Sequence, residues 1–170
     1  MKLEHLPKLD QLDKAIIVAL ERDGRRAYRD IARDLQVAEA TVRTRVNRLI
    51  DSGLIHITAV GDPLKLGVEV MAICLLRVQP GCVPQVADLL RSYPHVRFVG
   101  TSFGTADIII QTLHPNIKSL HTFMTQTLPE AAPAISSMET FQLAEVHKSS
   151  WDWQAWFRYS QNSDADSASS

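Results

Sequence analysis

Between Thr41 and Arg48 the chain sets Thr41, Arg43, Thr44, Arg45, Asn47 and Arg48 within about two helical turns of one another. Guanidinium, amide and hydroxyl groups are the side chains that bind phosphate oxygens and the donor and acceptor edges of bases. An arginine fork can take both acceptors of a guanine edge, which contributes about 1–3 kcal/mol of discrimination. Spacing decides which of these groups share a face. Val42, Val46, Leu49 and Ile50 follow one another at steps of four, three and one. At roughly 100° per residue they fill about a third of a helix circumference and face a core. Thr44, Asn47 and Arg48 lie opposite them, with Thr41, Arg43 and Arg45 on the flanks. Thr41, Thr44, Asn47 and Arg48 are therefore candidates to reach base edges, and Arg43 and Arg45 to hold phosphates. A solvated face is the competing reading, because arginines opposite an apolar stripe are usually that and no more.

The surrounding elements tilt the balance. Residues 28–54, YRDIARDLQVAEATVRTRVNRLIDSGL, read as a short helix carrying Ile31, Ala32 and Leu35, a break at Gln36-Val37-Ala38, and the arginine-bearing helix. A preceding helix over 12–23 supplies Leu12, Ile16, Ala19 and Leu20 as a third apolar face. Gly53 can take the left-handed cap that ends the last turn. Leu54 to Val60, LIHITAV, alternates like a strand and suits a wing or linker over 54–67. A slim polar face behind a bracing helix is the geometry of a helix-turn-helix entering a DNA major groove, here within residues 1–53. Arg26 and Arg29, near the start of the second helix, are further candidates for the DNA backbone. A dimer would read two half-sites on a roughly palindromic operator of double-stranded DNA.

Composition bounds the remaining classes. At 170 residues with net charge −1, the chain holds one or two small domains. Residues 1–60 carry eleven Lys/Arg against nine Asp/Glu, while the rest carries seven against ten, so the basic excess sits with the DNA-reading face. No apolar run reaches the roughly 18 residues of a membrane span, and the amino end lacks the apolar stretch of a secretion signal. A cytoplasmic protein with no membrane partner is expected, its two cysteines, Cys74 and Cys82, reduced. The six histidines show no metal-ligand spacing, no Ser-His-Asp or Cys-His arrangement is legible, and neither metal, cofactor nor enzyme activity is expected.

The second half has a different grammar. Strands are expected over 68–78, 96–102, 106–113 and 135–147, and helices over 83–93 and 116–128, with Asn116 capping the second helix and Pro129 ending it. This order is the ferredoxin-like βαββαβ plan, so the fold class is α+β, with a winged helix-turn-helix joined by a strand linker to a sandwich over 68–148. Val70, Ala72, Cys74 and Leu76 share one side of the first strand, and Met71, Ile73, Leu75 and Arg77 the other. Helices cover one sheet face; the other is apolar too, and a second copy of the chain is its expected cover.

With these elements in place, the chain resembles the Lrp/AsnC (feast/famine) family of bacterial and archaeal transcription regulators. The resemblance runs from about Leu9 to His147 through LDQLDKAIIVALERDGRRAYRDIARDL, TVRTRVNRLIDSGLI, DPLKLG, GTADIII and ETFQL. It implies a sequence-specific DNA-binding regulator that forms dimers and octameric or other rings, with a small effector, commonly an amino acid, near the turn holding Gly104 and Asp107. Thr101, Ser102, Gly104, Thr105 and Asp107 are the candidate turn, where backbone groups can bind a carboxylate and Asp107 an ammonium. Ser136, Met138 and Thr140 on the last strand would complete the pocket. The alternative for Asp107 is a carboxylate that caps its own backbone. Two positions depart from the family pattern: Ala38 stands where Ser or Thr caps the recognition helix, and Ala106 where a larger side chain precedes the aspartate.

Other functions are an effector-independent architectural or autoregulatory DNA-binding protein, or an enzyme like the sirohaem decarboxylases, which share the two-domain plan but have no use for Arg43, Arg45 and Arg48. Beyond the family pattern, Trp151, Trp153, Trp156 and Phe157 crowd into WDWQAWF. That much aromatic area predicts a short helix packed on its own or a neighbouring subunit, or as a lesser alternative a lid over the effector site, ahead of a disordered polar tail.

Overall fold

A computed structural model describes residues 8–149 and 152–159. Those within 1–60 and 149–170 form one compact unit, and those within 61–148 another.

The first unit starts with α1 (Gln11–Arg22), α2 (Tyr28–Leu35) and α3 (Glu39–Asp51). α1 begins where it does because Asp10 and Asp13 cap each other: Asp10 accepts from the Asp13 N–H at 2.8 Å, and Asp13 from the Asp10 N–H at 3.1 Å. α2 stops at Gln36, which enters the left-handed region at φ 56°. A β-branched side chain is strained there, so Gln36→Val should lose about 1–2 kcal/mol in urea denaturation while Gln36→Gly stays within about 0.5 kcal/mol of the native chain. Ile16, Ile31, Val42, Val46 and Leu49 are fully buried where the three helices meet.

Ile50 is not among them; it stays 37% exposed. The chain reverses at Gly53, φ 71°, so that the N–H groups of Leu54 and Ile55 both reach the Leu49 carbonyl. Ile55 then packs on the core from that side. The strand expected over 54–60 does not form among the described residues, and neither does a wing. Alternation lays out the side chains, but a strand also needs a partner for its backbone groups, and none of the described residues supplies one. Ile57 and Val60 are exposed.

The second unit opens with a short turn at Leu64–Leu66 and runs β1 (Val70–Val78), α4 (Val83–Ser92), β2 (Val96–Thr101), β3 (Ile108–His114), α5 (Ile117–Thr122), α6 (Leu128–Ala131) and β4 (Ile135–Gln142). Its antiparallel sheet has the order β2-β3-β1-β4, the ferredoxin-like arrangement. Val70, Ala72, Cys74 and Leu76 are buried against the helices together with Ile108, Ile110, Leu90 and Leu128. Met71, Ile73 and Leu75 on the opposite face are only half-buried.

Two boundaries differ from expectation. Asn116 does cap α5, accepting from the Ser119 N–H at 2.8 Å, but Pro129 does not end the helical run. A wide turn over Phe123–Thr127 joins α5 to α6, and Pro129 sits in the first turn of α6, where its missing N–H costs nothing. β4 ends at Gln142 rather than His147: the Leu143 N–H still reaches the Met71 carbonyl at 2.8 Å, but β1 begins at Val70, so residues 145–147 have no β1 residue opposite them.

Candidate nucleic-acid interface and effector turn

α3 turns Val42, Val46 and Leu49 inward and leaves Arg43, Thr44, Asn47 and Arg48 exposed, with Thr41 and Arg45 half-buried. Thr44 donates its hydroxyl to the Ala40 carbonyl at 2.9 Å, which leaves its lone pairs facing outward. Asn47 makes no hydrogen bond among the described residues, so its amide is available to a ligand. Ala38 supplies no side-chain cap, and Glu39 in the first turn instead pairs with Arg43 at 2.7 Å. The Arg43 guanidinium also lies 5.4 Å from the centre of the Tyr28 ring, an aromatic contact between α2 and α3.

Arg45 and Arg48 have a second allegiance. Arg45 bonds Asp10 and, at 3.1 Å, Asp13; Arg48 bonds the other Asp13 oxygen at 2.5 Å. Asp13 is wholly buried, and these two arginines neutralise it. The Asp13 N–H foremost, and then Arg45, hold the Asp10 carboxyl down to about 2. Asp10 and then Asp13 push the Arg45 guanidinium above its usual value. The recognition helix is thus strapped to the start of α1 by its own arginines. A guanidinium carries five N–H donors, so the 41% of the Arg48 side chain left exposed still offers a free edge. Arg26 is paired with Asp34, whereas Arg29 is 79% exposed with Asp30 at 3.9 Å. Sequence reading missed Asp10 and Asp13, although D-x-x-D ahead of an apolar helix is the signal that gives them.

In the second unit, register gathers most of the expected turn. Leu76 on β1 faces Ile108 on β3 and Met138 on β4, which brings 102–108 and 135–138 to one end of the sheet. Gly104 has φ 119°, a conformation that excludes a side chain at low cost. Ser102 donates to the Ala106 carbonyl at 2.7 Å, and Ser136 to the Arg77 carbonyl at 3.3 Å. Asp107 spends one oxygen on the Val78 N–H at 2.9 Å and sets the other 3.6 Å from Arg77. Its carboxylate therefore already caps backbone. Thr140 lies two residues further along β4, opposite Cys74, on the helix-covered side. Arg77 is the addition to the sequence-based set: a guanidinium beside the turn, a group suited to a carboxylate.

At the opposite end of β3 the fold brings His95 and His114 to a ring separation of 5.1 Å beside Phe123, a pairing invisible in their spacing along the chain. Burial lowers both imidazoles below their ordinary value, and His95 lowers His114 further. Among the described residues, no group of three or more His, Cys, Asp or Glu could hold a metal ion, and no helix is long and apolar enough to cross a membrane.

Residues 9–50 match the AsnC-type helix-turn-helix domain. An uncharacterized HTH-type transcriptional regulator of Pyrococcus horikoshii is 36% identical over 142 residues, covering 83% of this chain and 89% of that protein. The HTH-type transcriptional regulator FL11 of the same organism is 32% identical, over 82% of this chain and 92% of its own. Among solved structures, AsnC of E. coli superposes with a TM-score of 0.80 at 22% identity, over 86% of this chain and 99% of that one. A transcriptional regulator from Neisseria meningitidis, solved in complex with L-Met, gives 0.76 at 17%, over 84% and 94%. With helix-turn-helix and antiparallel sheet joined in this order, and relatives matched along most of their length, the chain belongs to the Lrp/AsnC family of DNA-binding transcription regulators.

Proposed function

We propose that this regulator reads a roughly palindromic operator as a dimer and answers to an amino acid or a related small metabolite bound at the Gly104–Asp107 turn. The observation that carries the DNA reading is the division of α3, with Val42, Val46 and Leu49 fully buried while Thr44, its hydroxyl proton spent on the Ala40 carbonyl but its lone pairs open, and Asn47 stand outward. Thr41, Thr44 and Asn47 reach base edges, Arg48 adds the free edge of its guanidinium, and Arg43, Arg45, Arg26 and Arg29 meet phosphates. A bidentate asparagine selects adenine. Asn47→Ala should therefore lower specific affinity by about 1–3 kcal/mol and leave binding to mixed-sequence duplex unchanged. Equal loss on both DNAs would reduce Asn47 to a backbone contact. The operator for this measurement comes from sequencing genomic fragments retained by the protein.

The effector reading is supported by opposite charges, Arg77 and Asp107, beside a glycine turn with exposed backbone, and by the L-Met complex of the Neisseria structure. Arg77 would take the carboxylate and Asp107 the ammonium. Titrating the twenty amino acids against thermal stability tests it: a ligand at 100 times its Kd should add about 2.7 kcal/mol. If none stabilises the chain, the turn serves only to cap its own backbone.

A further inference from the structure

The C-terminal segment belongs to the DNA-reading unit. Residues 153–159 form a helix that lies on α1. The Trp153 N–H donates to Glu21 at 2.9 Å, Arg22 donates to the Gln154 side chain at 2.9 Å, and Lys14 stands 5.4 Å from the centre of the Phe157 ring. Between this helix, α1 and the end of α2 lies a cleft of about 420 Å³, within the range of about 300–1,000 Å³ typical of small-molecule sites.

The charges around this cleft are gathered rather than scattered. Arg26 in the lining, and Arg33, Arg43, Arg45 and Arg48 away from it, each sit on a carboxylate. Lys14, Arg22 and Arg158 line the cleft with no carboxylate partner among the described residues; Arg22 has only the neutral Gln154 amide. Asp34, the one acid in the lining, is already taken by Arg26. Three uncompensated cations facing one cavity repel one another, and an anion relieves that repulsion. Phe157 and Val18 add an aromatic and an aliphatic wall, which suits a ligand with a flat apolar body as well as a charge.

The geometry points to a nucleotide-binding site between α1 and the C-terminal helix, with Lys14, Arg22 and Arg158 on the phosphate and Phe157 against the base. It is independent of the effector turn in the other unit. The nucleotide is either free or a unit of the DNA flanking the operator, and two arms separate these sources. Trp153 and Trp156 lie in this helix and the sequence holds its three tryptophans within 151–156, so intrinsic fluorescence of the full chain reports on the cleft.

In the first arm AMP is titrated against that fluorescence, with inorganic phosphate and adenosine as partial probes. AMP should saturate and bind more tightly than either fragment, and Arg158→Gln should weaken it about tenfold. Phe157→Leu should weaken AMP and leave inorganic phosphate unchanged. Arg158 makes no hydrogen bond or ion pair among the described residues, so its replacement leaves the helix seated; Lys14→Gln is the second variant. In the second arm the salt dependence of duplex binding is measured, and its slope should fall by about 1 in Arg158→Gln if the phosphate is DNA's. Weakened AMP binding with an unchanged slope assigns the site to a free nucleotide, and a reduced slope assigns it to flanking DNA. No saturable AMP response together with an unchanged slope overturns the inference.

Discussion

Asp13→Ala is expected to lower the stability of the DNA-reading unit by about 3 kcal/mol, the scale for breaking a buried ion pair by removing one partner. Asp13 has no exposed surface and answers three donors: the Asp10 N–H, Arg45 and Arg48. Its loss removes half of the capping box on α1, worth about 1 kcal/mol. It also strands the Arg48 guanidinium and leaves Arg45 with Asp10 alone to strap α3 to α1. The contribution of neighbouring Asp10 has a definite sign. Its pKa is depressed from 3.8 to about 2, so its share of stability is complete above the unfolded value and is lost as pH falls through 3.8 toward 2. Urea unfolding followed by the fluorescence of Trp153 and Trp156, which lie in this unit, measures the effect. Asp13→Asn, which keeps the volume and one acceptor, should recover part of the loss. A deficit below about 1 kcal/mol in Asp13→Ala would mean that solvent already screens both pairs.

Freed of Asp13, Arg48 would also carry one more unpaired cation to the DNA surface, while Arg45 keeps Asp10. The same variant should then bind mixed-sequence duplex with a steeper salt dependence, by about one phosphate contact, at temperatures where it is folded. Stability and DNA affinity would move in opposite directions, a result that a merely unfolded protein cannot give.

How much of this was legible in the sequence depends on the range of the interaction involved. Val42, Val46 and Leu49 announced the buried side of α3 because helical periodicity is local, and Gly53 announced its end for the same reason. The βαββαβ order followed from alternation and punctuation, and the register confirmed it. Ile50 departs from the helical wheel, 37% exposed, where Ile55 packs on the core instead after a reversal that no periodicity describes. Residues 54–60 alternate without forming a strand among the described residues, because pattern speaks for side chains and not for backbone partners. Arg48 was placed correctly on the wheel, yet a long side chain can reach past its own face. Its bond to Asp13 joins residues 35 apart. Arg77 beside Asp107, His95 beside His114 and the C-terminal helix on α1 are likewise products of chain reversal, and only coordinates supply them.

Leu75→Asp is expected to convert a dimer into a monomer. The sheet face away from the helices carries half-buried Met71, Ile73, Leu75, Ile109 and Leu113, with Phe98 53% and Phe141 47% exposed. Register places Leu75 between Ile109 and Glu139, near the middle of that face. A contiguous apolar surface of this kind on one domain marks an interface, and an isologous contact between two copies buries the same residue twice. Each dimer of the variant would bury two aspartates without partners, at several kcal/mol apiece, so the dissociation constant should rise by at least about 1,000-fold. The monomer itself should keep its fold, because Leu75 faces away from the core that Cys74 and Leu76 help to fill. Sedimentation of the native chain and the variant at matched micromolar concentrations measures the shift, with circular dichroism checking the fold. A native chain that sediments as a monomer, or a variant that still dimerises, would leave the sheet face without the role assigned to it. Under the proposed reading of the operator as two half-sites held by a dimer, closing this face is what joins them, so the variant should bind a single half-site and the full operator with nearly equal affinity.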